Sequence, residues 1–313
     1  MNRNIKYHLM GAMGAVRAMA AVVVVAAALL AGCDVKDPIY NTPHPEQGKI
    51  TLTTDWSSIG KGLTPPTGYT VKAGDYSATL NATTNLLDYL FVPGSYRVHI
   101  YNVAEHVTVS GTIATVVEAS GNVDGAGKFI HNTPGWLFTS AMDARVEADT
   151  DHALTAVMQQ QVRQLTLFIE PTGGTTDRIE HIEGYLSGSA STLDLDNATH
   201  ATPMNVELQF EKVTSGDNAG KWSATVRLLG VAGVGQKLYA KIFFEGNNPG
   251  PVSLTDGDGN EGCDLTEALA GFNADKRTPL ALGGKVVETP TGAGFTATIT
   301  DWTPVNSGLV VAN

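Results

Sequence analysis

Apolar and polar residues alternate along most of this 313-residue chain, and this period-two pattern restricts the possible folds more than any other feature. In residues 204–211, MNVELQFE, four apolar side chains alternate with four polar ones. Residues 222–228 and 237–244 repeat the pattern. Since successive side chains of a β-strand point to opposite faces of a sheet, each of these segments is predicted to be a half-buried strand.

Further strands are predicted where the alternation recurs between Gly, Pro and Asn clusters, which favour turns. They cover residues 50–56, 69–72, 76–80, 96–101, 107–117, 145–148, 154–169, 189–195 and 295–302. Short helices are predicted at residues 86–91, 176–185 and 264–271, the last with Asp264 as its cap and Gly271 at its end. Regularly spaced strands with few short helices predict an all-β protein of antiparallel β-sandwiches.

The first 32 residues have the composition of a secretory signal peptide. Basic residues at positions 3, 6 and 17 precede or flank an apolar run at 19–30, and no acid is present. The sequence LAGC at 30–33 resembles the lipobox of bacterial lipoproteins, so Cys33 is predicted to carry a diacylglyceryl group as the first mature residue. The alternative, a transmembrane helix, needs about 20 apolar residues, and the stretch 18–31 is shorter.

Residues 33–48 are predicted to form a flexible, lipidated tether, because the stretch is polar and contains Pro. We therefore expect a lipid-anchored protein of the outer membrane. Two acids close to the lipid, Asp34 and Asp37, resemble the surface-export signals of some lipoproteins and favour exposure on the cell surface. The remaining length of the mature chain suits two β-sandwiches, predicted at 49–152 and 153–313.

The charge of the mature chain excludes one class of partner. Removal of the signal takes three of the 20 Lys and Arg residues and none of the 31 acids, so the mature net charge is −14. Nucleic-acid binding needs a basic face, and none is expected here. Of the two cysteines, Cys33 is used by the lipid, so no intramolecular disulfide is expected and Cys263 is predicted to be buried as a small hydrophobic residue.

No arrangement of residues typical of catalysis is present in the sequence. Gly-x-Ser-x-Gly and His-Glu-x-x-His are absent, and the eight histidines are scattered. His99 is predicted to be a solvated sheet residue. Residues 121–128 resemble a phosphate loop only superficially, since Phe129 stands where Ser or Thr is needed, and a flexible surface loop is predicted instead. We expect neither an enzyme nor a cofactor.

One acidic loop has part of the spacing of a calcium site. Loop positions 1, 3, 5 and 12 would be Asp256, Asp258, Asn260 and Glu267. The glycine required at position six is replaced by Glu261, and such Asp-Gly runs are usually plain acidic turns. The loop is therefore a weak candidate, and no metal site is predicted with it.

Several segments, taken in order, resemble the FimB-type fimbrium anchoring family, the lipoprotein subunits at the base of type V pili. These are 30–33 (LAGC), 49–56 (KITLTTDW), 93–98 (PGSYRV), 162–165 (VRQL), 186–190 (LSGSA), 227–230 (RLLG) and 272–276 (FNADK). The resemblance covers nearly the whole mature chain. It implies two tandem transthyretin-like β-sandwiches, no enzymatic activity, and a role in fixing a fimbrial fibre to the outer membrane and ending its growth, with fimbrial shaft subunits as partners.

The end of the chain is more apolar than a free tail needs to be. Because subunits of this kind are thought to lend a terminal strand to a neighbour, a form of β-augmentation, we expect a donor strand at Leu309, Val310 and Val311, after the possible hinge Gly308. The simpler alternative is that this segment completes the chain's own sheet.

A second function remains open from the sequence, that of a surface glycan-binding β-sandwich lipoprotein. Aromatic residues make up 7% of the chain, and Trp56, Trp136 and Trp302 are the candidates for an exposed platform. Coplanar exposed rings in one groove would favour this function, whereas a detachable terminal strand would favour fibre anchoring.

Overall fold

The described residues fold almost entirely into β-strands. The structure, a computed structural model, describes residues 44–121, 127–174, 176–291, 294–299 and 301–305. The first strands are β1 (Lys49–Asp55), β2 (Tyr69–Ala73), β3 (Tyr76–Leu80), β4 (Thr84–Leu86), β5 (Gly94–Tyr101), β6 (Val107–Ser110), β7 (Ile113–Val116), β8 (Glu118–Ala119), β9 (Phe129–Ile130), β10 (Phe138–Val146), β11 (Asp151–Val157) and β12 (Gln159–Gln160). They are followed by β13 (Arg163–Pro171), β14 (Ile179–Asp194), β15 (His200–Gln209), β16 (Glu211–Lys212), β17 (Trp222–Leu228), β18 (Lys237–Phe244), β19 (Val252–Thr255), β20 (Cys263–Asp264), β21 (Leu280–Thr291), β22 (Gly294–Thr298) and β23 (Trp302–Pro304). The predicted all-β fold is confirmed.

Two sheets enclose the first hydrophobic core. One has the order β11-β1-β4, and the other has the order β12-β10-β5-β2-β3. Burial alternates along β1, so that Ile50 and Leu52 point inward. They share the core with Val71 and Ile100 of the second sheet. The period-two pattern of residues 50–56 thus packs one face of β1 against the facing sheet.

A longer series of strands encloses the second core. Its order is β16-β17-β13-β21-β22-β19-β18-β14-β15-β9-β8, with β6, β7, β20 and β23 attached at the sides. Every residue of β13 from Arg163 to Ile169 is buried, so this strand is covered on both faces. Leu165 and Leu167 of β13 share the core with Leu186 of β14 and Leu238 of β18.

The second core also includes residues from earlier in the chain. Ala114, Val116, Ile130 and Leu137 belong to it, although they precede β13. Residues Glu46–Asn313 form one compact unit. The division into sandwich domains at 49–152 and 153–313 stays a proposal.

Two segments predicted as single strands are interrupted in the structure. Residues 107–117 form the hairpin β6–β7, which turns at Gly111 with φ of +59°. Residues 154–169 contain parts of β11 and β13 with the short β12 between them. Alternation shows that residues are extended but does not show where the chain changes sheet, because a turn of two residues barely disturbs the pattern.

The three predicted helices are wrong. Residues 86–91 run alongside β1, and 176–185 contain only the three-residue 3₁₀ turn Thr176–Arg178 before β14 begins. In 264–271 the Asp264 carboxylate does accept a hydrogen bond from the Thr266 N–H at 2.8 Å, as a cap would. The residues after it form successive turns rather than a helix. Among the described residues, no helix is long and apolar enough to cross a membrane.

The pairing is mixed rather than purely antiparallel as predicted. Within the described chain four pairs are parallel: β1 with β11, β13 with β21, β15 with β9, and β19 with β22. The members of each pair are far apart in sequence. Parallel strands cannot be joined by a tight hairpin, so they arise where the chain returns through other strands.

Candidate functional site

Two of the predicted sites fall on parts of the chain that the structure does not describe. Cys33, the predicted lipidation site, precedes the first described residue, His44. The predicted donor strand, Leu309, Val310 and Val311, follows the last described residue, Val305. Residues 122–126 of the loop that resembles a phosphate loop also lie outside the described residues, and Lys128 at its end forms an ion pair with Glu118 at 2.9 Å.

The segment that leads to the predicted donor strand is held in the second group of strands. Strand β23 pairs antiparallel with β21, and the Val305 N–H donates to the Ala281 carbonyl at 3.0 Å. Trp302 packs against the second core. A terminal strand that extends beyond Val305 would therefore start from a fixed point on this sheet.

The acidic loop forms a compact hairpin turn. The Asp256 N–H donates to the Asn260 carbonyl at 2.9 Å, and the Asp256 carboxylate accepts from the N–H groups of Asp258 and Asn260 at 2.9 and 2.8 Å. Hydrogen bonds from the Asn260 side chain and backbone hold the pKa of the Asp256 carboxyl below its usual value. The Asp256 carboxylate therefore stabilises the turn by accepting hydrogen bonds from the turn's own backbone.

Metal binding by this loop gains no support from its neighbours. Glu267, the twelfth position, lies in the turns that follow β20. In the described ranges, no three or more His, Cys, Asp or Glu side chains come together in a group that could hold a metal ion. The calcium candidate of Asp256, Asp258, Asn260 and Glu267 stays a weak hypothesis.

Cys263 lies directly beside this loop and is buried, as predicted. Its Sγ donates a weak hydrogen bond to the Thr255 carbonyl at 3.4 Å. Burial raises the pKa of the thiol to about 11. Because the thiolate is the reactive species, this cysteine is expected to be inert at neutral pH.

His99 is not the solvated residue that the sequence predicts. Only 14% of its side chain is exposed, and its Nε2 lies 2.8 Å from Asp196 Oδ1. Arg97 Nε donates to the same oxygen at 2.8 Å. The hydrogen bonds from Arg97 and His99 lower the pKa of Asp196. The turn after β14 thus covers the outer face of β5, a contact between distant segments that alternation cannot reveal.

The three tryptophans predicted as a possible platform do not form one. Trp56 packs edge-on against Phe138 with ring centroids 5.7 Å apart. Trp136 lies under the Arg227 guanidinium at 5.3 Å, and Trp302 packs against the second core. All three are half-buried and pack against different neighbours, which leaves little exposed ring face for a common flat surface.

A groove of about 300 Å³ lies on the outer face of β14 and β18. Two cross-strand aromatic pairs lie on this face. Tyr185 and Tyr239 both line the groove and stack at 4.8 Å between centroids and 14° between planes; Phe243 also lines it and stacks on His181, outside the lining, at 4.4 Å and 9°. Because the rings of each pair stack face to face, they offer their edges and hydroxyl groups to a ligand more than their faces. Sequence reasoning missed this face of the sheet, because residues 176–185, which include His181 and Tyr185, were predicted to form a helix.

Sequence reasoning missed a pair of partly buried basic side chains. Lys276 Nζ lies 2.8 Å from His200 Nε2 and donates to Gln161 Oε1 at 3.2 Å. The two basic residues line a groove of about 850 Å³. Burial lowers the pKa of Lys276 to about 7. Burial, followed by the charge of Lys276, lowers the pKa of His200 to about 4.

Neighbouring polar residues fix the same region to the core. Arg163 donates to the Thr278 and Phe272 carbonyls at 2.7 and 3.0 Å. Gln160 donates to the Lys276 carbonyl at 2.6 Å. These contacts join residues more than 100 positions apart, and they hold the segment that contains Lys276 in place.

No protein-family model and no curated protein sequence matches this chain. Solved structures do match it. A candidate adhesin from Bacteroides ovatus has a TM-score of 0.56 at 17% identity, covering 87% of this chain and 99% of its own. A second candidate adhesin from Bacteroides ovatus has a TM-score of 0.52 at 14% identity, covering 83% and 96%.

The fimbrial anchor protein Mfa2 from Porphyromonas gingivalis is another structural neighbour. Its TM-score is 0.51 at 12% identity, and the match covers 80% of this chain and 95% of that protein. At these identities the likeness establishes a common fold over nearly the whole length of the neighbours.

Proposed function

We propose that this chain is a non-enzymatic lipoprotein of the FimB type, which fixes a fimbrial fibre to the outer membrane at the cell surface and limits the length of the fibre. The observation that carries the proposal is the fold shared with the fimbrial anchor protein Mfa2 over 95% of that protein. The ordered sequence resemblance and the lipobox-like residues 30–33 support it independently.

The proposed function uses the two ends of the chain differently. The lipid on Cys33 holds the protein in the membrane, and residues 33–48 serve as the tether. Leu309, Val310 and Val311 would add as a strand to the first shaft subunit. The pairing of β23 with β21 supports this role, because it supplies a firm base from which the terminal strand departs.

Affinity isolation from membranes of the bacterium that makes this protein tests the partner. The full-length protein, tagged at a surface loop, is expected to co-purify with fimbrial subunits that mass spectrometry identifies. A variant that lacks residues 306–313 is expected to reach the membrane but to recover no fimbrial subunits, because the donor strand is gone. Equal recovery of these subunits by both proteins would contradict the donor strand, and their absence from both would contradict anchoring.

Glycan binding is the alternative function. It is favoured by the groove between the aromatic pairs on β14 and β18, where Glu183 and Lys241 supply polar groups. It is weakened by the face-to-face stacking of the rings and by the separate, half-buried positions of Trp56, Trp136 and Trp302. Recovery of glycan-uptake components instead of fimbrial subunits in the isolation experiment would favour this alternative.

A further inference from the structure

A cluster of exposed apolar side chains lies near the beginning of the described chain. This cluster, the 86–92 patch, consists of Leu86, Tyr89, Leu90 and Val92, which are 60%, 39%, 36% and 61% exposed. Single exposed apolar residues are ordinary on protein surfaces, but several within one short segment are typical of an interaction site.

Buried neighbours and a backbone hydrogen bond hold the patch segment in place. Leu87 and Phe91, between the exposed residues, are buried in the first core. The Leu87 N–H donates to the Ile50 carbonyl at 2.9 Å. Binding at the patch therefore requires no unfolding and no ordering of a loop.

Residues near the start of the described chain contact the patch. The Gly48 N–H donates to the Phe91 carbonyl at 2.8 Å, and the Phe91 N–H donates to the Gly48 carbonyl at 2.9 Å. Gln47 Nε2 donates to the Leu90 carbonyl at 3.4 Å. A groove of about 570 Å³ runs between the two segments. Gln47 and Gly48, among the first described residues, thus contact the segment that carries the exposed apolar residues.

We propose that the 86–92 patch docks on the lipid bilayer in which the lipid of Cys33 is embedded. This inference rests on the proposed lipid anchoring. If the chain between Cys33 and Gln47 is flexible, as the sequence predicts, a tether of about a dozen residues would have a root-mean-square length of roughly 20 Å and would keep the patch close to the bilayer at high effective concentration. Docking would fix the orientation of the molecule and direct its opposite end away from the membrane.

The four exposed apolar side chains favour an apolar contact, although Asp88, which lies between them in the sequence, is also exposed. The mature chain has a net charge of −14, which does not favour an anionic surface. Transfer of Leu and Val side chains from water to the boundary between headgroups and acyl chains lowers the free energy, and Tyr is enriched at this boundary. Docking is therefore expected on uncharged lipid and is expected to persist in high salt.

A fluorescence experiment tests the docking without depending on lipidation. Residues 34–313 carrying an N-terminal hexahistidine tag are bound to phosphatidylcholine vesicles that contain a nickel-chelating lipid. A polarity-sensitive dye is attached at Leu90→Cys, and at Val103→Cys in a control, since Val103 is 83% exposed outside the patch. Cys263 is fully buried and will not take the label.

The Leu90→Cys probe is expected to gain about two-fold in emission on tethering, as it enters the interface, while the Val103→Cys probe stays unchanged. The gain should survive high salt and should be lost when Leu86 and Val92 are both replaced by Ser. Unchanged emission at Leu90→Cys on vesicles would overturn the proposal. A gain that needs only high protein concentration, without vesicles, would also overturn it and would indicate that a second copy covers the patch.

Failure of this test leaves fibre anchoring intact, because the nickel tether replaces the lipid. Failure of anchoring would instead be seen in cells, as fibres that stay attached when Cys33 is replaced.

Discussion

The contact between Lys276 and His200 disfavours a positive charge on both side chains at once. With their nitrogens 2.8 Å apart, protonation of both side chains is unfavourable, and burial away from water adds to the effect. Lys276 and His200 are 76 residues apart in the sequence, and Arg163 contacts the carbonyls of Phe272 and Thr278, more than 100 residues away. Contacts of this kind depend on the tertiary fold, so local sequence patterns could not predict them.

This pair predicts a pH dependence of stability. His200 has a pKa of about 4 in the folded protein, below its ordinary value of 6.5, so the unfolded chain binds the proton more tightly. Stability should therefore fall as the pH drops from about 6.5 to 4, by about 2 kcal/mol for this group.

Thermal unfolding of residues 34–313 between pH 7.5 and 4 measures the effect. His200→Asn should lose stability less steeply with falling pH than the natural protein does, each compared with its own value at pH 7.5. His181→Asn, which removes a histidine whose side chain is 43% exposed, is the matched control and should follow the natural protein. Parallel pH profiles for all three proteins would refute the assignment.

Period-two alternation identified the individual strands well, and residues 222–228 and 237–244 coincide with β17 and β18. The alternation was less informative about the segments that connect the strands. The helix predicted at 264–271 rested on Asp264 as a cap and on Gly271 at its end. Leu265 and Leu269 are both buried, Phe272 and Cys263 pack into the same core, and successive turns satisfy these contacts.

The position just before β20 requires a glycine, Gly262. Its φ is +89°, and a Cβ atom there would lie 2.7 Å from the Tyr239 ring. Gly259 in the same turn has a φ of +83° and open space around its Cα. Gly262→Ala should therefore reduce the free energy of unfolding by about 2–4 kcal/mol, and Gly259→Ala by about 1 kcal/mol, since only the first adds a steric clash to backbone strain.

Urea denaturation of the two variants compares them directly. The difference between their midpoints isolates the contact with Tyr239, because the backbone conformation is nearly the same at both positions. Equal losses of stability would show that the Tyr239 ring moves aside freely and that the stacking with Tyr185 is not a rigid feature of the groove.

For the whole molecule, the sequence predicted the all-β class correctly but did not predict how the strands share two cores; the signal at residues 1–32 stays a prediction. The second core includes Ala114 and Ile130 from the part of the chain before β13, because β7 pairs antiparallel with β14 and β9 pairs parallel with β15. The sequence did not reveal the 86–92 patch, because the helix predicted at 86–91 would have turned some of its apolar residues inward. The structure instead extends this segment along β1, with the apolar side chains exposed.

The proposed function requires that one molecule joins a fibre to the membrane through Cys33. Its most direct test is the amount of fibre retained by cells that carry Cys33→Ala, compared with cells that carry Cys263→Ala, which removes a buried thiol and leaves the anchor in place. Fibres are counted on cells by electron microscopy, and fimbrial subunits in the medium are measured by immunoblot. We expect Cys33→Ala to release most fibres into the medium and Cys263→Ala to retain them. Fibres that stay on the cells with Cys33→Ala, at the length and number seen with the natural protein, would contradict the account.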